Sequence, residues 1–276
     1  MSAMNKSMDI SMTWIFLNKG NDEYITGFAY GCNTTVTDMA NFDYGASTDP
    51  LVLRGILKHK LMKQCWQDQR DFYYIDSGYF GNQVSNLNPN GYKLWHRVVK
   101  NNIQHNEIVP RPADRFEMFK KKFQPWNKSG RNILIAVPDE KPCKFYGIDL
   151  ESWIEQTVST IKQHTDRPVV IRRRATQRID RVMNDTLESA LNDVFALVTF
   201  NSNAAVESVF HGVPVFPLAP VSAANPVGNS DLSKIETPYY PDSDKLHAWA
   251  CHLAYGQFHV RELRNGTAKR ILEETI

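Results

Sequence analysis

Four cysteines in 276 residues, at positions 32, 65, 143 and 251, are too few and too scattered for a disulfide framework, and no two form a C-x-x-C pair that would hold zinc. A reducing cytoplasm is therefore the expected location, and no metal set is expected. No apolar run approaches the roughly 20 residues that span a bilayer. Residues 10–17 are too short an apolar stretch, without a small-residue cleavage site, to read as a secretion signal. An excess of one charge is lacking too: 32 Lys+Arg stand against 30 Asp+Glu, a net +2, which excludes a uniformly basic nucleic-acid binder. What remains is a globular chain, 42% hydrophobic, whose length suits two α/β domains of ordinary size.

The charge balance breaks down locally. Residues 50–67 carry Arg54, Lys58, Lys60 and Lys63 and no acid, and residues 93–122 carry eight Lys+Arg against three acids. Such stretches either track a phosphate backbone or solvate a surface. Residues 82–106 interleave Tyr92, Trp95 and His96 with Arg97 and Lys100, a mixture suited to stacking bases or to covering an acceptor face.

The most informative stretch is residues 196–216, ALVTFNSNAAVESVFHGVPVF. An apolar β-rich run leads into Asn201, Ser202 and Asn203, and then Ala205, Val206, Val209 and Phe210 recur at helical spacing. Gly212 stops the helix, and a short strand with Pro214 follows, so the segment reads as a βαβ unit. Ser202 or Asn203 is placed to cap the helix, whose first N–H groups suit a diphosphate. Glu207, one to two turns in, is positioned to accept the two hydroxyls of a ribose or, as the alternative, to be a solvated helix residue.

Upstream, residues 132–137 (NILIAV) read as a buried parallel strand, residues 138–142 as a loop, residues 150–164 as an amphipathic helix with Trp153, Ile154, Val158 and Ile161 on one face, and residues 168–171 (PVVI) as the next strand. The second strand runs into Arg172, Arg173, Arg174 and Arg178, forks of donors suited to a diphosphate leaving group at a strand's carboxyl end. In the first half, residues 51–67 have helical spacing, with Arg54 and Gly55 in the first turns. Residues 71–75 (DFYYI) form the clearest strand, ending at Asp76 with Gly78 and Gly81 close behind. A carboxylate there suits the general base of an inverting transfer. Asp76 is the first choice for that base and Asp49, in the turn-rich segment 41–50, the second. The alternative for Asp76 is an Asx turn closing the strand.

Strand, arginine run and the order N-S-x-A-x-x-E-x-x-x-x-G-x-P from Asn201 to Pro214, followed by Leu253-Ala254-x-x-Gln257, resemble the nucleotide-sugar half of GT-B glycosyltransferases, in particular phage and prophage members. The first half matches less specifically, through Leu53-Arg54-Gly55 and residues 71–81, and lacks the glycine-rich phosphate loop of many members. The resemblance implies an α/β fold of two Rossmann-like domains with parallel sheets facing a cleft, the first over residues 1–130, the second over 131–276 with a terminal helix crossing back. It implies a UDP-sugar donor held by Arg172, Arg173, Arg174, Arg178, Asn201, Ser202, Asn203 and Glu207, and no cofactor. Arg54, Lys58, Tyr79, Trp95 and Arg97 are expected to bind the acceptor. Double-stranded DNA with a hydroxymethylated pyrimidine, flipped out to receive glucose or a pentose, is the expected acceptor. A surface polysaccharide, capsule or lipopolysaccharide, is the alternative, with residues 51–67 a candidate membrane-facing helix. A non-catalytic nucleotide-binding module is the third.

Overall fold

A computed structural model describes residues 13–20, 22–56, 59–82, 93–173 and 186–274. Among the described residues, ten strands form two sheets, with ten α-helices between and after them. The first half contributes β1 (Ile15–Asn18), α1 (Glu23–Gly31), β2 (Val36–Asp38), β3 (Leu51–Arg54), α2 (His59–Gln67), β4 (Phe72–Ser77), β5 (Trp95–Lys100) and the short α3 (Asp114–Glu117). Then come β6 (Asn132–Ala136), α4 (Glu140–Tyr146), α5 (Leu150–Lys162), β7 (Val169–Arg172), α6 (Leu187–Ala190), β8 (Val194–Thr199), α7 (Ala204–Phe210) and β9 (Val215–Pro217). The chain ends with α8 (Ser243–Tyr255), β10 (Gln257–His259), α9 (Val260–Arg264) and α10 (Thr267–Glu273).

The first sheet has the order β10-β5-β4-β3-β1-β2 and the second β7-β6-β8-β9. All pairs are parallel except β4 with β5 and β5 with β10. The carboxyl ends of β1 to β4 thus share one edge, and those of β6 to β9 another. The inner parallel strands are covered on both faces, which explains their continuous apolar runs, whereas the edge strand β7 leaves Val170 and Ile171 exposed. Phe16, Val52, Tyr73 and Ile75 pack beneath α1, α9 and α10, while Leu17, Leu51, Leu53, Phe72 and Tyr74 meet Met62 and Cys65 of α2 on the other face. In the second sheet Ile133, Ile135, Ala196 and Val198 meet α5, and Leu134 and Leu197 meet α7 and α8.

Three expectations are corrected. Residues 51–67 are not one helix: Leu51, Val52 and Leu53 are wholly buried between β1 and β4, so this run forms strand β3 and places Arg54 at its carboxyl end, with α2 starting only at His59. A run apolar on both sides has no wet face to give a surface helix. Residues 138–142 are partly helical, because Asp139 is an extended N-cap and Pro142 falls in the first turn of α4, where its missing N–H costs nothing. Residues 95–100, taken as part of an exposed aromatic and basic face, are instead β5, with His96, Arg97, Val98 and Val99 buried.

The tail returns to the first half. Strand β10 pairs with β5, and α9 lies so close on α1 that a Cβ at Gly31 would run into the Leu263 carbonyl. Arg115 of α3 locks this arrangement. Buried, it donates to both carboxylate oxygens of Glu262 (2.7 and 3.0 Å) and to the carbonyls of Ala254 and Gln257. Among the described residues no helix is long and apolar enough to cross a membrane.

Candidate functional site

Between the two sheets lies a cleft of about 1330 Å³. Its wall is made by strand ends: Asn18 and Lys19 after β1, Met39 after β2, Arg54 and Gly55 at β3, Asp76 to Gly78 at β4, Ala136 to Asp139 after β6, Arg172 at β7, and Asn201 to Ala204 after β8. Ligands of open α/β sheets gather at that edge. The volume exceeds the roughly 300–1,000 Å³ typical of one small-molecule pocket, so there is room for two substrates side by side.

On the first-sheet side, alternation along β4 puts Tyr74 and Asp76 on one face, and the antiparallel register puts Arg97 of β5 directly opposite Asp76. The Tyr74 hydroxyl donates to Asp76 Oδ2 at 2.7 Å, Arg97 Nη2 donates to the same oxygen at 3.2 Å, and the Ser77 N–H donates to Oδ1 at 2.8 Å. Burial by itself pushes the Asp76 carboxyl up, but Arg97, Tyr74, the Ser77 N–H and Arg54 outweigh it and leave the group below the usual carboxylate range. Asp76 is therefore ionised at neutral pH, held in place, and 40% exposed to the cleft through its side chain. One acceptor position on Oδ1 remains after these three bonds.

Arg97, expected to bind an acceptor, lines the cleft with its guanidinium engaged by neighbouring residues. It is buried, donating through Nε to the Ile103 carbonyl, through Nη1 to Ser77 O and through Nη2 to Asp76. The last of these bonds holds the Asp76 carboxylate from the neighbouring strand. Arg54 is more open: its guanidinium pairs with Asp22 at 2.7 Å and lies 4.4 Å over the Tyr24 ring. Asp22 grips it with Oδ2 while capping α1 through Oδ1, which accepts from the Tyr24 and Ile25 N–H groups. Tyr79 lines the cleft but is almost wholly buried, its hydroxyl joined to His105 Nδ1 at 2.9 Å. Trp95 sits behind the wall against Phe119 and His259. Asp49 precedes β3, at the opposite edge of the sheet, and does not line the cleft; its carboxylate accepts from Ser47.

On the second-sheet side, α7 is half-buried at Ala204 and buried beyond it except at Glu207, its one exposed residue, which lines the cleft. Ser202 Oγ accepts from the Ala204 N–H at 3.2 Å and so acts as the cap. Asn203 does not cap; its Nδ2 crosses to the Gly78 carbonyl at 3.1 Å. Asn201 is buried at the bottom, its carbonyl accepting from Gln104. Arg172 lines the cleft, whereas Arg173 points away to an ion pair with Glu151. Arg174, Arg178 and Lys58 lie outside the described residues. The structure thus brings together Asp76, Arg54, Tyr79, Arg97, Arg172, Asn201, Ser202, Asn203 and Glu207, and leaves out Asp49, Trp95 and Arg173.

Sequence reasoning missed Asp22, Lys60, Lys121 and Gln104 as lining residues. For Asp22 a signal existed, since an Asp before the Glu23–Tyr24–Ile25 run is an N-cap pattern. For Gln104, which ties Asn201 O to the Ala223 N–H, none did. Over the described lining the cations are Lys19, Arg54, Lys60, Arg97, Lys121, Lys141 and Arg172, against Asp22, Asp76, Asp139, Glu188 and Glu207, an excess of two that favours an anionic ligand.

No family model matches the chain, and no curated protein matches it by sequence. Solved structures do. It is similar to Thermosulfurimonas dismutans KpsC, beta Kdo 2,4 transferase, at 10% identity and a TM-score of 0.50, over 87% of this chain and 90% of that one. It is also similar to Thermosulfurimonas dismutans KpsC, beta Kdo 2,7 transferase, at 11% identity and a TM-score of 0.50, over 95% of this chain and all of that one. At such identity the likeness concerns the fold, and the fold is GT-B-like: two α/β sheets, one parallel and one mostly so, turning the carboxyl edges of their parallel strands to a shared cleft.

Proposed function

We propose that the chain is a glycosyltransferase that moves a sugar from a nucleotide donor to a hydroxyl of a cell-surface polysaccharide of the capsule or lipopolysaccharide kind. The observation that carries the reading is Glu207, the one exposed residue of a helix otherwise buried or half-buried, set in the same cleft as the oriented carboxylate of Asp76. The donor lies along the second sheet, its ribose hydroxyls on Glu207 and its phosphates near Arg172 and the Ser202–Ala204 turn. The acceptor lies along the first sheet by Arg54 and Lys60. Asp76 takes the proton of the attacking hydroxyl as its oxygen bonds to the anomeric carbon, and the bond from that carbon to the phosphate oxygen breaks. Cations on the leaving-group side, Arg172 and Lys141, stabilise the charge that develops there. In this inverting scheme no covalent intermediate forms on the protein.

For the acceptor, the two solved structures described above are named as Kdo transferases, which supports the polysaccharide reading. DNA has less behind it. Of the eight cations in residues 93–122, Arg97 and Arg115 are buried in pairs with Asp76 and Glu262, and Lys100 pairs with Asp71, so the run is not a free basic stripe. The test is incubation with a panel of uridine- and cytidine-linked sugars and either capsule or lipopolysaccharide oligosaccharides or hydroxymethylated duplex DNA, with products identified by mass spectrometry and anomeric configuration by NMR. Transfer to an oligosaccharide is the expected result. Transfer to DNA alone overturns the acceptor, a retained anomeric configuration overturns the single displacement, and binding without turnover on any donor points to a nucleotide-binding module.

A further inference from the structure

The loop after β4, residues 78–82, forms part of the cleft wall, yet Tyr79 and Phe80 are nearly inaccessible to solvent. A buried loop must find partners for its backbone groups, and here two side-chain amides from distant parts of the chain, those of Asn203 and Gln257, supply them, while the loop's own Asn82 ties its end to Trp95. Asn82 Nδ2 donates to the Trp95 carbonyl and its Oδ1 accepts from the Trp95 N–H, both at 2.8 Å, prolonging the β4–β5 pairing. Asn203, at the start of the helix that bears Glu207, donates to Gly78 O. Gln257 does most: its Oε1 accepts from the N–H groups of Tyr79 (2.7 Å) and Phe80 (3.2 Å), and its Nε2 donates to Phe80 O (3.0 Å). The carboxamide acts as a peptide group inserted where no strand runs.

Gln257 is completely buried and opposite Arg97 in the β10–β5 register, and Arg97 is opposite Asp76 in the β5–β4 register. Asp76, Arg97 and Gln257 thus form one lateral row across three strands. The space is tight: a Cβ on Gly78 would come 2.9 Å from Gln257 Oε1 and 3.1 Å from Trp95 Cβ. The row is anchored from behind by Arg115, which donates to the Gln257 carbonyl at 2.9 Å.

We propose that Gln257, in the C-terminal tail 178 residues from the loop it holds, is a positioning residue of the cleft: its carboxamide sets the 78–82 loop and thereby the alignment of Asp76 toward the acceptor. This rests on the glycosyltransferase reading for its consequence in turnover, but not for its effect on the loop.

The experiment uses the full chain with two substitutions, Gln257→Leu, which keeps the bulk and removes all three bonds, and Gln257→Glu. Amide hydrogen exchange of Tyr79 and Phe80 is read beside the amides of β6 and β8, with nucleoside diphosphate affinity by calorimetry and, on whichever donor the wild type accepts, kcat and KM. In Gln257→Leu the two loop amides are expected to exchange at least about tenfold faster while β6 and β8 are unchanged. Turnover is expected to fall about 10²-fold, with nucleotide affinity kept within about twofold. Gln257→Glu should be impaired at pH 8 and recover toward pH 5, because burial raises its carboxyl and the protonated acid reproduces the donor and acceptor pattern of the amide. Unchanged exchange at Tyr79 and Phe80 overturns the proposal. So does a parallel loss of turnover and nucleotide affinity, which marks a merely structural role. If Gln257→Leu does not fold, the pH 5 to pH 8 comparison of Gln257→Glu decides. A wild type inactive on every donor refutes the glycosyltransferase reading, and the exchange result still decides whether Gln257 sets the loop.

Discussion

Replacing Asp76 with Asn tests the centre of the site through two independent quantities. The side chain of Arg97 is only 8% exposed, and two of its three bonds go to neutral carbonyls, so Asp76 is its counter-charge. Breaking a fully buried pair costs about 3–5 kcal/mol, whereas an exposed pair is worth about 0–1 kcal/mol. Asp76 is 40% open to the cleft, which places the expected loss between these limits, roughly 1–3 kcal/mol. The pH dependence has a definite sign. The folded Asp76 carboxyl lies below its unfolded value, so its contribution is complete above the usual carboxylate range and is lost as pH falls through the folded value. Urea midpoints of wild type and Asp76→Asn should therefore differ at pH 7 and converge in acid. Turnover should also fall. A general base supplies about 10²–10⁴-fold, and a carboxylate held below its usual range is a weak base, so the lower end is expected. Equal stability at pH 7 would show that Arg97 does not depend on Asp76. Full turnover would pass the base to another carboxylate of the lining, Asp22, Asp139, Glu188 or Glu207, and not to the remote Asp49.

Other substitutions test the remaining parts. Glu207→Gln should weaken nucleotide binding roughly ten- to 100-fold, as hydrogen bonds to a charged group are worth about 1.5–3 kcal/mol, without lowering thermal stability; calorimetry reads this, and unchanged affinity removes Glu207 from the donor site. Arg172→Ala should lower turnover at least about tenfold, while Arg173→Ala, which breaks only an exposed pair with Glu151, should leave it near wild type; the reverse order would mean that the arginine facing the cleft is not the one that matters. His252 is buried against the His105 ring, and burial together with Arg111 lowers its pKa to about 4. The unfolded chain then takes up the proton first, so stability should drop as pH falls from about 6.5 toward 4, by at most about 3 kcal/mol from this residue. His252→Phe should flatten that part of the pH–stability curve, and an unaltered curve would refute the assignment.

Much of the second half was legible in the sequence because its signals are local. Strands β6, β7 and β8 read as apolar runs, α5 showed its buried face by spacing, and the turn at Asn201 with Gly212 beyond it marked the limits of α7. Glu207 stood out for the same reason, as the one charge in a helix otherwise apolar or small. The first half was harder. Residues 51–54 match a helical pattern and a buried strand equally well, and the choice between them was made by pairing with β1 and β4 and by the helices on the two sides, α1 over Val52 and α2 over Leu51 and Leu53. Charge was the least legible quantity. The basic stretch 93–122 is dense along the chain, but folding spends Arg97 on Asp76, Arg115 on Glu262 and Lys100 on Asp71, residues 21, 147 and 29 positions away. The meeting of Asp76, Arg97 and Gln257 in one row belongs wholly to the tertiary structure, because strand register, not chain order, sets which side chains lie opposite one another. Sequence by itself determined the elements and the residue types at the strand ends. Only the closing of β10 onto β5 decided that a glutamine near the chain's end holds the loop beside a carboxylate near its beginning.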